Sequence, residues 1–374
     1  MKTTHWAMLF RQLLRPRAPL APNRLAVEKH LEGALAWILV AQRQGGDGGI
    51  AAHFDLLRGR WAPSYPETTG YTIPTLLACA ERLGRPALRD TAIDLASYLL
   101  RVRTPEGGIG HWRPGAEQQP IVFDTGQALF GWIAAYQQTG RAEYLQAATQ
   151  GADWLVRMQS PSGAWQQGQH LGVVKVIDTR VAWALLATAA VSPNPSYVAA
   201  ARANLDWALQ QQQADGWFEQ AAFWTGADPF THNIVYTAEG LLECGLLLDE
   251  PRYTSAAERA AQALLEQQRP DGSLSGKYGP HWAPRAHSSC LTGDCQAALL
   301  WLRLYGLKHG QGYLGAARRA IAFVASTQEL RASDENVRGG IAGSFPLYGE
   351  YERFKYPNWA AKFFLDALLA MELA

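Results

Sequence analysis

The chain has 374 residues, 48% hydrophobic and 18% charged, and its 34 basic and 33 acidic side chains leave a formal net charge of +1. That is the composition of a soluble globular protein able to bury a large core, and so neutral a balance excludes phosphate-driven binding of nucleic acid. Four cysteines are too few for a disulfide framework and no apolar run reaches the roughly 18 residues of a membrane span, so a reduced, cytoplasmic protein is expected.

Residues 1–24 carry Lys2, Arg11, Arg15 and Arg17 around a short apolar patch, Met8 to Phe10 with Leu13 and Leu14. The patch is no continuous signal-peptide core, so an N-terminal arm or helix lying across the fold is expected. Contact with a membrane surface is the alternative. From residue 25 to 374 one pattern repeats six times, which we read as a single domain. A helix-length segment ends in a Gln-rich turn centred on glycine, at Gly48, Gly107, Gly163, Gly216, Gly272 and Gly339. A more apolar helix then follows. Steps of 59, 56, 53, 56 and 67 residues between these glycines mark a repeat array.

The first helix of each repeat has a one-sided apolar stripe. In the sixth, Leu314, Ala317, Ile321 and Val324 share a face while Arg318 and Arg319 fall off it, as in a solvated outer helix. The second helix is apolar nearly all round, as in 127–136 and 360–369, and must be buried on all sides. Outer helices are predicted over 25–43, 86–103, 142–159, 195–213, 252–268 and 311–328. Inner helices are predicted over 67–83, 124–139, 178–191, 232–248, 288–306 and 358–372. We pair each outer helix with the inner one that follows it. Six pairs close into an all-α (α/α)6 toroid. Inner-to-outer links are short, whereas outer-to-inner links are long and rich in Trp, Tyr, His and Gly. Long structureless loops in a compact domain are usually functional, so the site is expected at the rim they share, over the inner-helix N-termini.

Polar residues gather at those entries. Tyr65, Glu67 and Tyr71 open the first inner helix, Asp124 the second, and Asp178 and Arg180 the third. His232, Asn233, Tyr236 and Glu239 open the fourth, where steps of three and four put His232 or Asn233, Tyr236 and Glu239 on one face. His and Tyr suit proton exchange with a sugar, and paired carboxyls suit glycosidic cleavage. The structural alternatives are a satisfied core histidine and, for Asp124, Asp178 and Asn358, helix caps. Arg180, Arg353 and Lys355 are available for a uronate or phosphate. Trp112, Trp224, Trp282 and Trp359, with Tyr65, Tyr71, Asn233 and His287, are candidate sugar contacts. His287, Cys290, Asp294 and Cys295 are metal-donor types, but their spacing matches no zinc signature, and no metal or other cofactor is expected.

The turn Gln213-Ala214-Asp215-Gly216-Trp217 resembles the repeat of squalene and terpenoid cyclases and of protein prenyltransferase β subunits. Their ring is shared with polysaccharide hydrolases, lyases and epimerases. The chain departs from the cyclases in having no Asp-x-Asp-Asp and no Asp-Asp-x-x-Asp, and it has no Asp-x-Cys plus His zinc set. The segments 290–296 (Cys-Leu-Thr-Gly-Asp-Cys-Gln) and 356–366 resemble those of bacterial proteins of exopolysaccharide clusters, which implies a glycan setting.

The expectation is a carbohydrate-active enzyme, a hydrolase, lyase or epimerase, acting on a bacterial polysaccharide or lipid-linked glycan. Glu67, Asp124, Asp178, His232, Tyr236 and Glu239 are its acid–base candidates. An isoprenoid enzyme on the same scaffold predicts an apolar tunnel. A non-catalytic glycan-binding assembly protein predicts no cooperating pair of carboxyls.

Overall fold

The computed structural model describes residues 26–110, 119–308 and 310–374. The N-terminal arm expected over 1–24, and with it any membrane contact, lies outside them. Twelve α-helices are present among the described residues. The outer ones are α1 (Val27–Gly45), α3 (Pro86–Val102), α5 (Ala142–Met158), α7 (Pro195–Gln210), α9 (Pro251–Glu266) and α11 (Gln311–Thr327). The inner ones are α2 (Pro66–Leu83), α4 (Val122–Thr139), α6 (Thr179–Val191), α8 (Thr231–Leu248), α10 (Leu291–Lys308) and α12 (Asn358–Glu372). Each inner helix packs on its two inner neighbours, and α12 returns to α2, so the fold is the expected all-α (α/α)6 toroid. No helix of the described residues is long and apolar enough to cross a membrane.

The pairing differs from expectation. Each inner helix packs most closely on the outer helix that follows it, and α12 packs on α1. The short links explain this. Helices α2 and α4 end on left-handed Gly84 (φ 61°) and Gly140 (φ 69°), and α3, α7 and α9 begin with proline. A left-handed stop followed by proline at the next helix start turns the chain back within a few residues. The long links are crossings between hairpins.

The repeated Gln-x-x-x-Gly turn is an inter-repeat clamp. Gln159 Nε2 donates to the carbonyls of Gly163 (2.9 Å) and of Ala200 on the next outer helix (2.8 Å). Gln212 does the same with Gly216 and Ala256, and Gln268 with Gly272 and Ala316. The sixth copy closes the ring: Gln328 Nε2 donates to Gly339 O at 2.6 Å and His30 O at 3.2 Å, and Gln328 Oε1 lies 2.7 Å from His30 Nδ1. The glycine is required for two reasons. Gly163 has φ +87°, and a Cβ there would lie 2.2 Å from the carbonyl oxygen of Ala203; the first is strained for any other residue and the second leaves no room for one.

Inner-helix side chains pin the links to the rim. Thr69 and Thr125 hydroxyls accept the amides of Ile50 (3.1 Å) and Ile109 (2.9 Å), and Asp294 accepts that of Leu274 (2.8 Å). Short strands stitch links distant in sequence. Strand β1 (His53–Asp55) pairs antiparallel with β2 (Arg60–Trp61) and with β5 (Lys355–Pro357), with Phe54 opposite Tyr356. Strand β3 (Ser289–Cys290) pairs with β4 (Ser344–Phe345). Residues 289–290, expected in the fifth inner helix, are thus extended.

Candidate active site

A cleft of about 280 Å³ opens at the rim over the inner-helix N-termini. The first turns of α2, α4 and α8 supply Glu67, Asp124 and His232, with Tyr71 and Tyr236 one turn deeper. The links add His53, Lys175, Trp224, Tyr351 and Lys355, among others. The wall sets these titratable groups among apolar and aromatic side chains, including Phe123, Phe223 and Phe230.

Glu67 is only 8% exposed. Burial lifts its carboxyl to about 7, against a hydrogen bond from Tyr65 and the positive charge of Arg180. Asp124 is more deeply buried. Burial, reinforced by the Glu67 charge, pushes it well above the usual carboxylate range, against Lys175. Its Oδ2 has no hydrogen-bond partner. Two acids face one cleft, and ionised Glu67 raises the cost of ionising Asp124, so they lose their protons in sequence. Asp178 is not on the cleft wall: its Oδ2 accepts from Gln169 at 2.7 Å, and burial lifts it to about 7. Lys175 donates to the carbonyls of His170 (2.7 Å) and Val173 (2.6 Å), and its charge bears on both Asp178 and Asp124.

His232 Nδ1 lies 2.8 Å from Gln296 Oε1, and burial lowers its imidazole to about 3. Its ring packs 4.3 Å from Tyr236 and 5.2 Å from Tyr351. Burial raises the Tyr236 phenol far above its ordinary value, and the hydroxyl has no partner of good geometry although Tyr71 lies beside it. Beneath the ring Arg180 is 3% exposed, paired through Nη1 with Glu239, and donates from Nε to Gln127 Oε1 at 3.1 Å. Glu239 and Arg180 therefore form the floor under the cleft. Asn233 is fully buried and off the wall; of the two neighbours, it is His232 that faces the cleft.

Asp124, Asp178 and Asn358 are not caps. The N-cap positions of α4 and α12 fall on Ile121 and Pro357, so Asp124 and Asn358 lie inside the first turn. Asp178 holds the N-cap position of α6 without a capping bond. Asn358 instead donates to Ala51 O (3.0 Å) and Thr68 Oγ1 (2.8 Å), joining the sixth repeat to the first.

Residues 115–310 match the family described as the ulvan lyase N-terminal domain, over half of the chain. The chain belongs to the ulvan lyase N-terminal domain family. The matched stretch runs from before α4 to beyond α10, so it carries Asp124, Asp178, His232 and Tyr236, while Glu67 stands outside it. A search of curated proteins returned no match. Solved structures share the fold of this family member. Unsaturated glucuronyl hydrolase from Bacillus sp. GL1 is 15% identical, with TM-score 0.72, over 92% of this chain and 97% of its own. Cellobiose 2-epimerase from Bacillus thermoamylovorans is 14% identical, with TM-score 0.72, over 93% and 98%. A GH76 α-mannanase from Bacteroides thetaiotaomicron is 14% identical, with TM-score 0.69, over 93% and 97%.

Other candidate residues of this ulvan lyase N-terminal domain family member are scattered. Trp224 stands 54% exposed at the cleft mouth, and Trp359 lines it with Nε1 donating to Tyr351 Oη at 2.8 Å. Lys355 lines it, paired with Glu352 at 2.8 Å. Arg353 and His287 are exposed away from it. Trp282 donates to Asp215 O at 2.9 Å, tying the fifth link to the fourth rather than reaching the cleft. Trp112 lies outside the described residues. No group of three or more His, Cys, Asp or Glu gathers as a metal site among the described residues. Sequence reasoning missed His53 and Lys175. Lys175 had a signal, a lone lysine in the run Val173-Val174-Lys175-Val176-Ile177, since a cation within an apolar stretch must find partners.

Proposed function

We propose that this protein is a glycan hydrolase in which Asp124 is the general acid and Glu67 the general base. The observation that carries the reading is the Glu67–Asp124 pair, two buried carboxyls on one cleft with proton affinities raised to different extents. Glu67 ionises first, near neutral pH, while Asp124 keeps its proton. Asp124 gives that proton to the glycosidic oxygen as the C–O bond breaks. Glu67 takes a proton from the water that attacks the anomeric carbon, so one water is consumed and the two carboxyls exchange protonation states. The expected carbohydrate-active class agrees with this. The cleft is at the small end for a ligand pocket, which suits a terminal sugar rather than a long threaded chain.

One observation favours a second reading, elimination from a uronate. Tyr236, on the cleft wall, stacks on His232, in a family described by a lyase. Hydrolysis is favoured because His232 at about 3 is a feeble base and the Tyr236 phenolate is suppressed. The bacterial surface-glycan setting, supported by the segments 290–296 and 356–366, belongs to the same proposal, as do a lipid-linked form of the substrate and a cytoplasmic location, the latter suggested by the few cysteines. The test is incubation with neutral and uronate-containing oligosaccharides. New reducing ends without unsaturated-uronate absorbance are expected, and solvent deuterium at C5 is not. Unsaturated ends would establish elimination, and silence in all readouts with binding intact would sink the enzyme.

A further inference from the structure

We propose that the Arg180–Glu239 ion pair is a positioning device for Glu67: Arg180 seats Tyr236 from below and supplies the counter-charge to Glu67, and Glu239 sets how much of that charge is felt. This rests on Glu67 being the base of the proposed reaction. The sequence makes Arg180 a substrate anchor; the geometry makes it unable to be one. Its guanidinium lies 4.6 Å from the Tyr236 ring centroid, 5.2 Å from Trp183 and 5.7 Å from Phe130. Nε is held by Gln127 and Nη1 by Glu239. A cation fixed on so many sides cannot swing up to a ligand. Nor is a buried ion pair a strong stabiliser compared with packed apolar side chains, so its presence under the catalytic rim asks for another use.

Charged and titratable groups on several inner helices surround Glu67 and the Arg180–Glu239 pair. Tyr65 precedes α2 and hydrogen-bonds Glu67, with Tyr71 a turn deeper. Asp124 faces it from α4, Arg180 from α6 and Tyr236 from α8, while Glu239, also on α8, faces Arg180 and Tyr236. Lys362, on α12, faces Arg180 and Glu239 and is itself paired with Asp366 at 2.6 Å. Asp294, on α10, is engaged by Ser289 and Leu274, and Lys175 acts on Asp124. Of these, Arg180 is the cation that directly favours ionised Glu67. Removing it must raise the proton affinity of Glu67. Removing Glu239 must lower it, because the Arg180 charge is unmasked and an anion near Tyr236 is lost.

The Glu67 carboxyl can be followed without substrate by infrared titration, taking each full-length protein minus the same protein carrying Glu67→Gln. Arg180→Met is expected to move the midpoint up by about one pH unit and Glu239→Gln to move it down by about one unit. Arg180→Lys keeps the charge and stays near the wild-type midpoint. Should Arg180→Met fail to fold, Glu239→Gln still carries the test through its downward shift. An unmoved midpoint in Glu239→Gln, or one moved upward, overturns the inference; a purely structural pair would change melting temperature and leave the midpoint alone. Opposite shifts without any glycan cleavage would uphold the ion pair and remove the hydrolase reading instead.

Discussion

His232 Nδ1 stands 2.8 Å from the amide oxygen of Gln296. An amide oxygen only accepts, so Nδ1 carries the proton and Nε2 is left as the ring's acceptor. Burial holds the imidazole at about 3, so this histidine stays neutral through the physiological range. Its ¹⁵N chemical shifts should be flat between pH 5 and 8. Gln296→Glu, which places an anion at the same spot, should bring a titration into that window. A wild-type His232 that titrates near 6.5 would contradict the assignment.

Glu67 has a second measurable signature, in stability. Its folded value of about 7 exceeds the unfolded value of about 4.3. The group therefore contributes stability that is fully present below the unfolded value and is lost as pH rises through the folded one. Glu67→Gln cannot ionise, so its stability relative to wild type should be more favourable at pH 8 than at pH 5. Paired urea denaturations read the difference, on the order of a few kcal/mol at about 1.4 kcal/mol per unit. The same variant, and Asp124→Asn, should lose about 10²–10⁴-fold in kcat. Parallel stability curves for Glu67→Gln and wild type would show that Glu67 is not buried as described.

The clamp at Gln328 should be worth more than an exposed surface contact. Three hydrogen bonds depend on its amide, each contributing about 0.5–1.5 kcal/mol net. Gln328→Ala should cost roughly 2–3 kcal/mol in urea unfolding. Gly163→Ala, forced into left-handed φ against the Ala203 carbonyl, should cost at least as much.

Trp224 separates packing from recognition. Half-exposed and edge-on to Phe223 at 5.8 Å, it has little to hold in place, so Trp224→Ala should shift stability by less than about 0.5 kcal/mol. Glycan affinity or KM should worsen several-fold while kcat holds. An unchanged KM would make it an ordinary surface tryptophan.

The ring was legible in the sequence because its signals are periodic. Apolar stripes, Gln–Gly turns and proline starts each recur with one structural unit, and helix ends fall within a few residues of expectation. The hairpin pairing was not legible, because link length alone does not say on which neighbour an outer helix packs; the reversals at Gly84 and Gly140 decide it. The rim position of Glu67, Asp124 and His232 followed from counting into the inner helices. What failed was direction. Asp124 and Asp178 have the residue types of caps, yet Asp124 falls inside its helix and Asp178, although at the N-cap position, gives its carboxylate to Gln169 instead. Arg180 has the type of a substrate anchor, and only the aromatic stack beneath Tyr236 shows that it is spoken for. His53 reaches the cleft through strand pairing with residues some 300 positions away, a separation no local pattern encodes.

That pairing also orders events during synthesis. His53 and Glu67 come from the first repeat, Lys355 and Trp359 from the sixth, and Asn358 and Gln328 bind the two ends together. Repeats two to five can stack as they emerge, each hairpin on the one before. The cleft wall is complete only when α12 has left the ribosome and slotted between α1, α2 and α10. Until then a nascent chain exposes the apolar flank of α2 and has no assembled cleft, so a stalled or shortened product is predisposed to aggregate.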